Sequence, residues 1–373
     1  MTKVQIERMQ YFLLIPNLLF PKAIGITAGV TARRVGGDAW TAMAIGFAAG
    51  TLMLLLIVFL SSRFSKLTII GIVEQVIGKW PGKLSGLMLA AFFSLGFAVS
   101  ANVMTLHLKE YFLIETPFLV ICLIYILLCM YGVILGIENI IRYALLGFLG
   151  CLLINVTMIF GTIGDFEMIN LLPLFDRGIM PNIAASIYIF GDVALAIMTI
   201  GMIFPMLNDS NRAIRLTLSS MAVSAVIILI WPVLELGVMG SGAMEQYVIV
   251  CMQLIRCAQL TRFLPRYELI MMFFFTFATF VQSATLYFCA VYSIKQISGV
   301  KKDWYIVVPL ALVLLPVTFF MAKDHNNYAN FLDYPWAQIC LAVSLGLPLF
   351  LFVMALFSGK LMTANSANNS TGS

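Results

Sequence analysis

Long apolar runs dominate the chain, and short clusters of charged residues, Pro and Gly separate them. A helix needs about 20 apolar residues to cross a bilayer. Ten segments meet that requirement: 11–31, 39–61, 84–107, 117–136, 142–163, 183–206, 216–239, 268–292, 304–321 and 337–358. A membrane β-barrel would show short alternating strands instead of long uninterrupted runs. The pattern predicts an all-α polytopic membrane protein with ten transmembrane helices.

The connecting segments carry weaker periodicity. From Lys66 to Lys83, residues Ile69, Ile70, Val73, Val76 and Ile77 recur close to helical spacing, with Glu74 and Lys79 among them. That predicts an amphipathic helix on the membrane face, with Trp80 at headgroup level. The stretch Ser241–Pro265 has helical periodicity too and is expected to cap the opposite side. The first ten residues lead straight into an apolar run with no small-residue cleavage site, which reads as an uncleaved first span. The polar, low-complexity stretch 359–373 is expected to be a disordered cytoplasmic tail.

Composition sharpens this picture. Of 373 residues, 62% are hydrophobic and only 10% charged, and mean hydropathy is +1.01. An ordinary soluble domain is about 25% charged, and one soluble core of this length could not hide so much apolar surface. With ten spans and the N-terminus inside, thirteen Lys and Arg fall at inner positions and eight at outer ones, while acidic residues divide five inside and ten outside. The positive-inside bias places both termini in the cytoplasm. The net charge of +5 belongs to this asymmetry and to lipid headgroups, with no call on nucleic acid.

Conventional catalytic chemistry is missing from the sequence. The seven cysteines include no CxxC, and His107 and His325 lie far apart, so neither a metal nor a cofactor is expected. There is no P-loop, dinucleotide fingerprint, HExxH or GxSxG. No cytoplasmic segment is long enough to form a nucleotide-binding domain, which excludes an ATP-driven pump. An enzyme is not expected.

Two spans carry most of the functional information. The first contains Pro16 and Pro21, each lacking an N–H donor, followed directly by Lys22. The sixth contains Gly191 at its midpoint beside Asp192. An ionisable residue at mid-membrane costs about 2.5–3.5 kcal/mol on insertion scales. Interruptions at corresponding positions of two halves point to a transporter site built from repeats. Residues 1–164 would form one five-helix repeat and 165–358 the other. Lys22 and Asp192 then face one midplane cavity that binds a small polar molecule, or they form a structural ion pair. Ser94, Ser100 and Asn102 in the third span, and Thr276, Thr279, Gln282, Ser283 and Tyr287 in the eighth, read first as interhelical hydrogen bonds. Glu235, near the end of the seventh span, reads as reaching headgroups, and Arg266 with Glu268 as an interfacial pair.

Several stretches together resemble the B subunit of spore germinant receptors, endospore germination permeases of the amino acid–polyamine–organocation superfamily. They are Asp38-Ala39-Trp40, the run Val76 to Lys83 (VIGKWPGK), Leu106 to Pro117 (LHLKEYFLIETP), Asn170 to Leu174 (NLLPL) and Phe263 to Glu268 (FLPRYE). In order and spacing they cover nearly the whole chain. The resemblance implies the LeuT-like fold, a five-plus-five inverted repeat with helices 1 and 6 broken. It implies a spore inner-membrane receptor that works with a larger A subunit and a C-subunit lipoprotein. It also implies that this chain senses the germinant, commonly an amino acid. By motif position the helix 1 break falls on Leu19, Phe20, Pro21, Lys22 and Ala23, and the helix 6 break on Phe190, Gly191 and Asp192. Many relatives have a glycine-rich break in helix 1 and a glutamate in helix 6; here Pro21 offers no N–H and Asp192 has a shorter reach. Lys22 and Asp192 are the expected polar anchors, with Phe20, Tyr188 and Phe190 as walls and Ser100 and Ser283 as further ligand-facing hydroxyls. A proton-coupled amino acid permease and a ligand-free scaffold for partner subunits are the alternative functions.

Overall fold

The computed structural model describes residues 5–22, 26–208, 212–247, 249–257, 268–322, 328 and 330–358, with the backbone alone at Lys22 and Ile270. The 359–373 tail expectation therefore lies outside the described residues. The elements are α1 (Arg8–Lys22), α2 (Ala28–Val35), α3 (Ala39–Arg63), α4 (Ile69–Val76), α5 (Lys79–Tyr111), α6 (Phe118–Leu135), α7 (Ile137–Arg142) and α8 (Ala144–Thr162). The second half holds α9 (Ile179–Ala185), α10 (Ile187–Ile203), α11 (Ala213–Met244), α12 (Val250–Cys257), α13 (Glu268–Ser298), α14 (Trp304–Ala322) and α15 (Leu332–Phe357). Two π-helical turns, Leu332–Trp336 and Ala342–Gly346, interrupt α15.

Among the described residues nine helical stretches are long and apolar enough to cross a bilayer. The first of these, Ala28–Arg63, is divided at Gly36, whose φ of 62° is open to glycine and costly to other residues. Helices α1 and α2 overlap the two ends of the first expected segment, 11–31. The core is a continuous apolar cluster in which α5, α10 and α13 are the most enclosed, while α6 and α14 turn Leu and Val faces outward.

The first span tolerates its prolines through a neighbour. Pro16 has no N–H to offer the Phe12 carbonyl, and Ser220 of α11 donates its hydroxyl there instead, at 2.6 Å. Asn17 donates to both the Leu13 carbonyl at 2.8 Å and the Ala144 carbonyl at 2.9 Å. The helix therefore runs through Pro16 and Pro21 to Lys22, and Leu19 to Lys22 are helical where an unwound segment was expected. Residues 23–25, with the fifth expected break residue Ala23, lie outside the described residues.

The sixth span runs through the expected break. Phe190, Gly191 and Asp192 sit within continuous helix α10. A Cβ on Gly191 would meet the Cβ of Cys340 in α15 at an ordinary contact distance of 3.5 Å. Ser186, between α9 and α10, keeps a helical backbone, its N–H donating to the Asn182 carbonyl and its carbonyl accepting from the Phe190 N–H, while its hydroxyl turns back to the Ile183 carbonyl at 2.7 Å. The Ser186 carbonyl lies against α3, where a Cβ on Gly46 would come within 2.2 Å of it.

Helix α4 forms where predicted, capped by Thr68, whose hydroxyl accepts from the Gly71 N–H at 3.1 Å. Its apolar residues Ile69, Ile70, Ile72 and Val73 are buried against the bundle. Trp80, beside it, is exposed with Lys83 over its ring. Within the expected 241–265 stretch, helix α12 forms and buries Cys251, Leu254 and Ile255.

Candidate functional site

Asp192 is the charged centre of the site. It is 1% exposed on α10, and its carboxylate oxygen Oδ2 accepts the Thr27 hydroxyl at 2.5 Å. Thr27 directly precedes α2 with helical backbone angles and does not cap that helix. Its hydroxyl is turned across to α10, which brings the carboxylate beside the start of α2. Thr31 holds the turn by donating to the Thr27 carbonyl at 2.7 Å.

Beside this pair lies a small cavity of about 20 Å³, room for about one water, lined by Ile26, Thr27, Val30, Tyr188, Trp336 and Ala337, among others. Trp336 is fixed by stacking on Phe92, with ring centroids 5.9 Å apart. A larger cavity of about 440 Å³, open to solvent, adjoins the first and shares Tyr188 and Ala337 with it. Arg34, Asp333 and Tyr334 line this outer space. Arg33 and Asp333 form an ion pair at 3.7 Å between α2 and α15, both partly exposed, at the same mouth. The arrangement is a solvent-open vestibule, a shared Tyr188 wall and a smaller chamber with a carboxylate and a hydroxyl at its edge.

The expected site residues divide into three groups. Tyr188 lines both cavities and Asp192 bonds a lining residue, so these two meet at the site. Phe190 and Gly191 are buried on the same helix, Gly191 facing α15. Leu19, Phe20 and Pro21 are buried in α1, and Phe20 packs edge-on against Trp231 at 6.4 Å. The Lys22 side chain and Ala23 lie outside the described residues, and so does Arg266.

Ser100 and Ser283 work in a different place, the junction of α1, α5, α6 and α13. Ser100 donates to the Gln282 side-chain carbonyl, and Gln282 in turn donates to the Leu18 carbonyl at 2.5 Å. Ser283 accepts from the Tyr125 hydroxyl at 3.0 Å. Sequence reasoning missed Thr27, Trp336, Arg33 and Asp333. Two signals were available: the opposite charges at the facing ends of spans one and ten, and the Tyr334-Pro335-Trp336 opening of span ten.

The model of the spore germination protein family matches residues 5–328. The chain belongs to that family. It is 25% identical to spore germination protein KB of Bacillus subtilis (strain 168) over 96% of this chain and 97% of that one. It is 22% identical to spore germination protein A2 of the same organism over 78% of each. Among solved structures, MhsT in complex with L-phenylalanine superposes with a TM-score of 0.72 at 14% identity, covering 98% of this chain and 93% of that one. Mhp1, a nucleobase-cation-symport-1 family transporter in a closed conformation with bromovinylhydantoin bound, gives 0.59 at 14% identity over 91% and 78%. At this identity the likeness is one of fold. This germination protein is thus built on the LeuT-like transporter fold that the sequence resemblance implied.

Proposed function

We propose that this chain is the germinant-sensing subunit of a spore receptor. It binds a small polar germinant, an amino acid first of all, beside Thr27 and Asp192, and passes the binding event to partner subunits. The hydrogen bond between Thr27 and Asp192 supports this reading best. It places a buried carboxylate at the edge of a cavity between spans one, six and ten, next to a vestibule through which a solute can arrive. An ammonium group would meet Asp192, Lys22 at the end of α1 would supply a cation for a carboxylate, and Tyr188 and Trp336 would wall the side chain.

Binding would act by differential affinity for the open and closed states of the mouth. In this reading residues 1–164 and 165–358 are the two repeats, and both termini face the cytoplasm at the spore inner membrane. The partners are a larger A subunit and a lipoprotein C subunit. The vestibule also fits a second reading, a proton-coupled amino acid permease, because a solute path is what transport needs. Spores lacking the chain, scored against a panel of amino acids, sugars and nucleosides, separate the two. Selective loss of response to one compound supports a receptor. An unchanged germination profile, with pH-dependent uptake lost from vesicles, supports the permease.

A further inference from the structure

The segment 163–178 joins two membrane-spanning stretches, Ile137–Thr162 and Ile179–Met206. It lies at the end of the bundle opposite Ile6, which pairs with Leu207 beyond the far end of α10. Lipid does not require apolar side chains between the spans, and a run of them left exposed there marks an interaction site. Met168 and Ile169 are 70% and 69% exposed, and Leu172, Leu174 and Phe175 are exposed with them. The backbone that presents them is pinned at both ends. The Glu167 N–H and the Asn170 side-chain amide both donate to the Gly237 carbonyl of α11, each at 2.9 Å. The Phe175 N–H donates to Asp38 Oδ1 at 2.7 Å. Phe166 packs so closely on Gly237 that a Cβ there would come within 2.1 Å of its ring, and Leu171 is buried. Phe175 takes a left-handed backbone, φ 57°, which a bulky residue keeps only where its surroundings hold it. The segment thus has its own anchors in Phe166 and Leu171, and a fixed backbone turns five other large side chains outward.

The charges among these side chains select the occupant. Asp165, Glu167 and Asp176 are exposed beside them. Arg177, the segment's one basic residue, is engaged with Glu245 at 3.7 Å and with the Arg34 carbonyl at 3.2 Å. The segment holds no Lys, Trp or Tyr, the residues that anchor a chain among lipid headgroups. Three carboxylates are repelled by an anionic lipid surface. A second copy of the chain, docked by the same patch about a two-fold axis, would set those carboxylates against one another. A different protein with an apolar centre and a rim of Lys and Arg satisfies both the side chains and the charges.

We propose that segment 163–178 is the docking surface for a separate folded domain lying over this end of the bundle, apolar at the centre of its contact and basic at the rim. In naming that partner the inference rests on the receptor reading above: it is the lipoprotein C subunit, whose lipid anchor holds its folded part beside a membrane surface. The same segment reaches the mouth of the ligand site. Arg177 holds the Arg34 carbonyl at the end of α2, and Asp38, which fixes Phe175, also accepts from the Asn182 amide of α9 at 3.2 Å. Pro181 and Ala184 of α9 line the vestibule. A partner seated on the segment therefore touches the elements between which a solute enters.

The test titrates the full C-subunit lipoprotein against the full chain in detergent micelles, with fluorescence anisotropy as the readout. Met168→Glu combined with Ile169→Glu should weaken association by about tenfold or more, the scale of losing a central apolar contact. Glu167→Lys should slow association and flatten its salt dependence, and Lys301→Gln, in the loop between α13 and α14, should bind as wild type. The segment is held through the Glu167 backbone N–H and not its side chain, so Glu167→Lys decides alone if the double variant is not monodisperse. A complex that both variants leave unchanged overturns this inference and spares the receptor reading. A wild-type chain that does not associate overturns the two together. A self-associated chain that the double variant returns to monomer overturns the inference in favour of a second copy. A nitroxide on Met168→Cys, with Cys257→Ser, is read in vesicles of phosphatidylcholine and phosphatidylglycerol. Greater access to oxygen than to a water-soluble nickel chelate would place the segment in lipid and overturn the inference as well.

Discussion

Replacing Thr27 with valine removes one hydroxyl and changes little else in volume, which makes it the cleanest probe of the Asp192 site. The bond it breaks is 2.5 Å long, between partners 6% and 1% exposed, so water cannot replace it without rearrangement. Hydrogen bonds to charged groups contribute about 1.5–3 kcal/mol, and a buried acceptor left short of donors costs a similar amount. At 1.4 kcal/mol per factor of ten, the loss corresponds to roughly a 10- to 100-fold shift in an equilibrium that depends on the bond. A double-mutant cycle of Thr27→Val and Asp192→Asn, followed by unfolding in mixed micelles, isolates the pairwise energy from the other effects of each change. A coupling of about 1.5–3 kcal/mol is expected. In spores, Asp192→Asn should raise the germinant concentration for half-maximal response by about tenfold or more, on the same scale. A coupling near zero, with both single variants responding as wild type, would refute the placement of the ligand anchor at Asp192.

Three other perturbations follow from contacts elsewhere in the fold. Ser220→Ala strips the Phe12 carbonyl of the donor that compensates for Pro16 and should cost about 1–3 kcal/mol; Pro16→Ala in the same chain restores an N–H to that carbonyl and should recover most of the loss in the same unfolding assay. Gly46→Ala sets a methyl group within 2.2 Å of the Ser186 carbonyl oxygen, so size-exclusion chromatography should show loss of monodisperse protein, while Gly164→Ala, with nothing within 4 Å, behaves as wild type. Arg33→Ala should change stability by less than about 1 kcal/mol, because the Arg33–Asp333 pair is partly solvated. A large change in germinant response from the same variant would then report on opening of the mouth and not on folding.

The spans were legible because a bilayer imposes one simple requirement, a long apolar run, and nine helical stretches among the described residues meet it. The breaks were harder, because proline and glycine have two meanings inside a membrane. Pro16 removes a donor, but a serine more than two hundred residues away supplies another, and no local pattern announces that pairing. Gly191 weakens a helix in isolation, yet the helix continues through it, with Cys340 of α15 at ordinary contact distance. Ser186 keeps a helical backbone, and its carbonyl is met by Gly46 of α3. Sequence position suggested an interruption beside the charged residue of span six; the packed helix runs through it.

The chemistry of the site followed the same division. Asp192 was legible as a mid-membrane charge, because burying a carboxylate is costly enough to need a reason. Its partner Thr27 was not, since a threonine beside a helix start ordinarily reads as a cap, and only the fold shows the hydroxyl diverted to another helix. Ser100 and Ser283 form the interhelical hydrogen bonds that such hydroxyls first suggest, with Gln282 and Tyr125. Glu235 separates the two cases most sharply. By position it stood near a membrane face, where long acidic side chains usually find water. The packing of α11 against its neighbours instead closes over it and leaves both oxygens without a partner among the described residues. Distance from the membrane face is therefore a poor guide to burial where neighbouring helices close over a residue. For an ionisable residue in such a fold, the question that separates anchor, lock and proton site is which donors its own oxygens can reach.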